Sequence, residues 1–297
     1  MIKRIIDISE PAYLHQKNKQ LCIDKKDKTV GTIPIEDLAV LILQHPAIVI
    51  TQALVISCQK NNVVVVFCDE KHLPFSTLLP ITEGNTLHSK VLKQQINAKL
   101  STTKSMWQQI IKLKIKEQIR ILKFFGKETK ALSRIANKVK SGDPQNCEAQ
   151  AAKLYWHELM GIDFKRDTDA GGINALLNYG YAIMRATIAR AIVSGGLHPT
   201  LGLHHHNQYN GLCLADDLME PFRPWVDKLV VEITKENSSA MVSQDTKQIL
   251  LGLISANVTW NDKKMPLMVA SHYLVANIKY AYSDNKIKIV YPTLHLE

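Results

Sequence analysis

The sequence predicts an α+β protein with a small N-terminal β-rich domain followed by a larger all-α C-terminal domain. Two observations carry this. Up to about residue 82, short runs rich in Ile, Val and Thr are bounded by Pro, Asp, Asn and Gly, the pattern of strands. From about His88 onward, apolar residues recur every three to four positions, the period of helices. The change falls between Thr82 and Thr86, so the expected division is 1–84 and 85–297.

The strand-like runs are Ile2 to Ser9, Tyr13 to Asp24, Thr29 to Ile35, Val40 to Leu43, Val63 to Cys68 and Phe75 to Leu79. Pro11, Pro34, Pro46, Pro74 and Pro80 punctuate them, and the spacing suggests a small sandwich or sheet. Thr51 to Asn61 places Leu54, Val55 and Cys58 at helical spacing and reads as one short helix. The expected helices beyond are 86–101, 103–125, 128–140, 144–160, 173–194, 211–236, 243–258 and 265–281. Gly126, Gly142, Gly161, Gly171-Gly172, Gly195-Gly196 and Pro266 separate them. Asp143-Pro144 reads as a helix start, with Asp as cap and Pro at the first helical position.

Composition excludes several classes. The chain has 297 residues, enough for a core without disulfides or a structural metal. Its five cysteines are odd in number and contain no C-x-x-C pair, which argues against a disulfide framework or a cysteine zinc site and fits a reducing cytoplasm. No apolar run approaches the ~20 residues of a membrane span. Asp7 interrupts the N-terminal apolar run too early for a signal peptide.

The net charge of +10 is unevenly placed. Between Gly84 and Gly142 stand 14 Lys and Arg against two acids, Glu117 and Glu128, while the rest of the chain is slightly acidic. One concentrated basic segment is what a binder of phosphate backbones needs, although a solvated helical face also carries charge runs. In the helix around Ser105 to Phe125, Trp107, Ile111, Ile115, Ile119 and Leu122 form an apolar stripe. Lys112, Lys116, Arg120 and Lys123 form a basic stripe beside it and are the candidate DNA contacts.

The densest polar cluster runs from Gly195 to Pro224. His204, His205 and His206 are consecutive, so their side chains diverge and cannot all serve one point. Asp217 and Glu220 lie three apart on a helix and share a face, whereas Asp216 points elsewhere. An imidazole with one or two carboxylates and no thiolate suits Mg²⁺ or Mn²⁺ better than structural zinc. Glu148, on a helix of small residues (Glu-Ala-Gln-Ala-Ala), is the best third ligand. For each residue alone, a solvated or hydrogen-bonded structural role is the ordinary alternative.

Four motifs in order give the chain a resemblance. They are Glu148 to Trp156 with its Ala-Ala-x-x-Tyr-Trp, Asn174-Ala-Leu-Leu-Asn178-Tyr179-Gly180-Tyr181, Gly196 to His205, and Asp217-Leu-Met-Glu-Pro-Phe-Arg-Pro224. Together they resemble the CRISPR-associated integrase/endonuclease of the adaptation module. The segments around His204 to Gln208 and Leu214 to Asp217 resemble its type II branch.

The resemblance implies a metal site of Glu148, His205 and Glu220, holding Mg²⁺ or Mn²⁺. It implies a cytoplasmic homodimer whose β-rich domain faces dimer and partner. That dimer would clamp a smaller second adaptation protein in a 4:2 complex, with the type II effector nuclease as a further candidate partner. The implied substrates are double-stranded DNAs, a prespacer and a CRISPR repeat. The implied reaction is in-line attack of a prespacer 3′-hydroxyl on a repeat phosphodiester. A small-molecule phosphohydrolase would explain the ligands but not the basic segment. A DNA-binding scaffold would explain the basic segment but not the ligands.

Overall fold

The computed structural model describes residues 3–26, 28–70, 72–80, 85–236, 241–284 and 286–296. Eight strands and one helix fill the N-terminal part: β1 (Arg4–Ile8), β2 (Tyr13–Lys17), β3 (Gln20–Lys25), β4 (Lys28–Pro34), β5 (Leu38–Leu43), β6 (Val49–Ile50), α1 (Gln52–Lys60), β7 (Val64–Cys68) and β8 (Pro74–Leu78). They form two four-stranded sheets, ordered β1-β5-β7-β8 and β4-β3-β2-β6. The run Tyr13 to Asp24 is two strands rather than one. Asn18 and Lys19 both take positive φ, the geometry of a tight hairpin turn, and fold β3 back on β2.

Strand β5 explains how the sheets meet the helices. It reads Leu-Ala-Val-Leu-Ile-Leu and is buried along its whole length. Leu41 and Leu43 face a core shared with Leu14, Leu21 and Ile33 of the second sheet and with Leu54 of α1. Val40 and Ile42, with Val64 and Val66 of β7, face the other way into the helical core. A strand covered on both faces has no polar side, so its sequence does not alternate. The expected boundary at Gly84 lies outside the described residues.

The helical part comprises α2 (His88–Ile96), α3 (Leu100–Phe124), α4 (Lys130–Lys138), α5 (Cys147–Met160), α6 (Ile173–Ser194), α7 (Cys213–Met219), α8 (Arg223–Glu236), α9 (Gln244–Ser255) and α10 (Leu267–Ser283). The order of a β-rich part and then a helical part is as the periodicities predict. Within the helical part a small three-stranded sheet stands where only helices are expected. β9 (Asn257–Trp260) and β10 (Lys263–Pro266) form a hairpin through Asn261 and Asp262, both at positive φ, and β11 (Thr293–Leu294) pairs with β9.

Further boundaries move: the expected helix 86–101 ends at Ile96, and the helix expected from 103 starts at Leu100. The expected helix 211–236 is α7, a 3-10 turn over Glu220–Phe222, and α8. Pro221 and Pro224 have no N–H to donate, so a regular helix cannot run through them. The expected start at Pro144 moves to Cys147. Asp143 and Asn146 both take positive φ, so Pro144 lies in a turn ahead of the helix.

Helix α6 is the centre of the helical part and packs on α7, α8, α9 and α10 as well as β7 and β8. Gly180 permits its approach to α8, since a Cβ there would lie 2.4 Å from Val226 Cγ1. Helix α3 crosses this core and packs on α4, α5, α8 and the 3-10 turn. That crossing brings distant chain segments to one place.

Candidate active site

Glu148 stands in the first turn of α5. The Asp143 carboxylate accepts the backbone N–H groups of Cys147 and Glu148, both at 2.9 Å, and the Asn146 side chain accepts that of Ala149. These contacts fix the start of the helix, where an acid is electrostatically favoured. Glu220 opens the 3-10 turn between α7 and α8, and its side chain is only 4% exposed.

The two acids meet at one buried cation. Lys114 Nζ lies 2.7 Å from Glu148 Oε1 and also contacts Glu220 Oε2. On its other side Glu220 pairs with Arg223, Nε to Oε1 at 2.9 Å. Burial opposes the charge on Glu220, but Arg223 and Lys114 outweigh it and hold the carboxyl below its ordinary pKa. Burial likewise opposes the charge on Lys114, and Glu220 and Glu148 outweigh it, raising the ammonium pKa.

His205 is set by Asp217. The Asp217 carboxylate is fully buried and lies 2.5 Å, Oδ1 to Nδ1, from the His205 ring. It also accepts the backbone N–H groups of Leu203, His204 and His205 at 2.5, 3.0 and 3.3 Å. One buried acid therefore shapes the whole histidine loop. The loop comes close enough only because residue 202 is glycine. A Cβ there would lie 2.3 Å from His205 O and 2.9 Å from Asp217 Oδ2. The hydrogen bond to Asp217 raises the His205 pKa against the opposing effect of burial, and the charges of Asp217, Glu220 and Glu148 add to the rise. The imidazole thus lies within the field of both acids.

A model of the family described as "CRISPR associated protein Cas1" matches residues 7–252. The chain belongs to the Cas1 family. It is 32% identical over 291 residues to the CRISPR-associated endonuclease Cas1 of Neisseria meningitidis serogroup C (strain 8013), covering 97% of this chain and 95% of that protein. It is 26% identical over 293 residues to a CRISPR-associated endonuclease Cas1 of Francisella tularensis subsp. novicida (strain U112), covering 90% and 91%. Among solved structures, a casposase bound to integration product aligns with a TM-score of 0.78 at 21% identity, covering 95% of this chain and 91% of that one. A chain of a Cas6-RT-Cas1–Cas2 complex aligns with a TM-score of 0.76 at 16% identity, covering 97% and 36%. At these identities the structures show a shared fold.

In this Cas1-family chain the donors suit a hard divalent cation. Two carboxylates act electrostatically on an imidazole, and its Nδ1 is already turned to Asp217, the arrangement that orients metal-bound histidines. Glu220 Oε2 is buried and lacks an aligned hydrogen bond, and the Lys114 ammonium lies against it. Among the described residues no three His, Cys, Asp or Glu side chains form a ready metal-binding group. An ammonium, that of Lys114, contacts both carboxylates.

The other expected residues separate. The His204 ring stacks on Trp107 with centroids 4.4 Å apart and planes 3° apart. His206 lines a cleft with Gln95, Leu201 and Tyr282. Asp216 turns away to Arg185, at 2.6 Å. Lys112, Lys116 and Lys123 are exposed along α3. Arg120 is engaged internally, with Glu117 at 2.5 Å and the Leu294 carbonyl at 2.7 Å.

Lys114 is the residue that the charge count conceals. It counts toward the basic segment yet is buried beside Ile110, Ile111, Ile115 and Gln118 on the inner face of α3. The available signal is its register, three residues after Ile111 and seven after Trp107, which makes it a lysine at a core position.

Proposed function

We propose that this chain acts in CRISPR spacer acquisition as a metal-dependent DNA integrase and endonuclease that joins prespacer duplexes to a CRISPR array. The observation that carries the reading is the meeting of Glu148 and Glu220 at one buried cation, with the His205 ring, held by Asp217, in the field of both acids. The Cas1 endonuclease relatives and the fold shared with a casposase bound to integration product support it.

In this reading Glu148, His205 and Glu220 hold Mg²⁺ or Mn²⁺. When bound, the ion supplies Lewis-acid polarisation of the phosphoryl group and lowers the pKa of an attacking hydroxyl. The chain's own residues do the positioning. Asp217 takes the Nδ1 proton of His205 as a hydrogen bond, which leaves Nε2 as the free donor atom. Arg223 fixes the rotamer of Glu220 through its Oε1 contact. The prespacer 3′-oxygen forms a bond to phosphorus, and the repeat's bridging oxygen leaves. One phosphodiester replaces another, so the reaction requires no external energy source. With water as the nucleophile the same site cleaves DNA.

The proposed assembly is a homodimer around the smaller second adaptation protein, four copies to two, on double-stranded DNA. A solved relative of this fold is a chain of a complex that contains Cas2. The type II placement, with its effector nuclease as a further partner, rests on the histidine-run motif and on the Neisseria relative. Exposed Lys112, Lys116 and Lys123 would follow the phosphate backbone. The proposed action on DNA puts the protein in the cytoplasm; among the described residues no helix is long and apolar enough to cross a membrane.

The test is a strand-transfer and cleavage assay with a 3′-hydroxyl duplex and a repeat-bearing target, run with Mn²⁺ and with EDTA. Integration with Mn²⁺ and none with EDTA supports the reading. DNA binding without strand transfer or cleavage under either condition would make the chain a scaffold. Hydrolysis of small phosphoesters without action on DNA would make it a phosphohydrolase.

A further inference from the structure

The position of Lys114 has a consequence for how the site is loaded. Its ammonium contacts both acids at once, at 2.7 Å from Glu148 Oε1 and against Glu220 Oε2. It arrives from α3, whereas the acids come from α5 and from the turn after α7. Its side chain is 10% exposed, so water cannot screen the contact well. Two carboxylates this close, one of them buried, repel each other unless a positive charge lies between them.

We propose that Lys114 is a built-in counter-cation that occupies the two-carboxylate site when no metal is bound and must give way when a divalent ion enters. This rests on the metal site proposed above and adds a property to it. The lysine holds the three chain segments together in the metal-free protein and weakens metal affinity by competing for the same oxygens. The stem gives it the freedom to move: four methylene groups let the head swing while α3 stays in place. The displaced ammonium keeps its charge beside the site and is placed to face an anionic substrate.

The experiment compares wild type with Lys114→Met and Lys114→Arg. It measures Mn²⁺ affinity by titration calorimetry and unfolding temperature in EDTA and in Mn²⁺. Lys114→Met keeps an unbranched side chain, one heavy atom shorter, without the charge. It should bind Mn²⁺ about tenfold or more tightly than wild type, because a like charge no longer competes in a poorly screened site. It should unfold at a lower temperature in EDTA and gain more from Mn²⁺ than wild type does. Lys114→Arg retains the competing charge and should stay near the wild-type affinity.

If Lys114→Met folds only with Mn²⁺ present, the ion has replaced the ammonium and the proposal stands. If it fails to fold at every Mn²⁺ concentration, or binds Mn²⁺ no more tightly than wild type, the proposal is overturned. Glu148→Gln separates the two layers. If wild type binds no Mn²⁺, or Glu148→Gln binds it equally well, the metal-site reading fails independently of Lys114.

Discussion

Asp217 Oδ1 lies 2.5 Å from His205 Nδ1, and the same carboxylate accepts three successive backbone N–H groups of the histidine loop. One side chain therefore sets both the path of the loop and the orientation of the ring it presents. Asp217→Asn should lower strand transfer by about 10–100-fold, the range for partners that orient a metal-bound histidine. DNA affinity should be unchanged. A variant with full activity would show that His205 is oriented by something else.

Gly202 is the steric counterpart of that contact. Gly202→Ala places a methyl group 2.3 Å from His205 O. The loop must shift, at a stability cost of about 1–3 kcal/mol, the range for overpacking. Urea unfolding measures the cost, and a loss of strand transfer at temperatures where the variant stays folded shows that the loop has moved.

The basic stripe divides by structure. Changing exposed Lys112, Lys116 and Lys123 together to Gln should weaken duplex binding and flatten its salt dependence. The slope of log K against log salt should fall by ~0.9 for each DNA phosphate that is no longer neutralised. Arg120→Ala should instead lower thermal stability with an unchanged slope, because its guanidinium is engaged by Glu117 and the Leu294 carbonyl. Fluorescence anisotropy at several salt concentrations distinguishes the two, and an unchanged slope in the triple variant would remove α3 from the DNA surface.

Asp227 gives the fold a pH dependence of its own. Burial pushes its carboxyl from 3.8 up to about 7, partly offset by the Tyr181 and Tyr155 hydroxyls and the charges of Arg223 and Lys114. Between about pH 4 and 7 the folded chain keeps a proton that the unfolded chain has released, so stability falls as pH rises through this window. The total is on the order of 4 kcal/mol at ~1.4 kcal/mol per pH unit. Asp227→Asn should flatten that slope in chemical denaturation followed from pH 4 to 8. An equally steep slope in the variant would assign the dependence to other groups.

The change of period near residue 84 is enough to read the order of β-rich and helical parts, because each period reflects which faces are buried. Glu148, His205 and Glu220 can be named because their motifs are specific, not because their spacing compels a site. Elements fixed by backbone geometry are less legible. The hairpin through Asn261 and Asp262 lies between two helices whose apolar periods run up to it and mask the strands. The helix start at Cys147 depends on positive φ at Asp143 and Asn146, which an Asp-Pro pair does not announce. Lys114 is hidden because charge counting treats every lysine as surface, whereas the helix register buries this one.

Glu148, His205 and Glu220 are proposed to hold one catalytic metal. The most direct measurement is an anomalous-scattering map from crystals grown with Mn²⁺. One peak is expected within ~2.0–2.6 Å of a carboxylate oxygen of Glu148, a carboxylate oxygen of Glu220 and Nε2 of His205. His204 should still lie on Trp107 and His206 in its cleft. A peak bound by His204 or His206 with His205 turned away, or no peak in crystals of protein that is active with Mn²⁺, would contradict it.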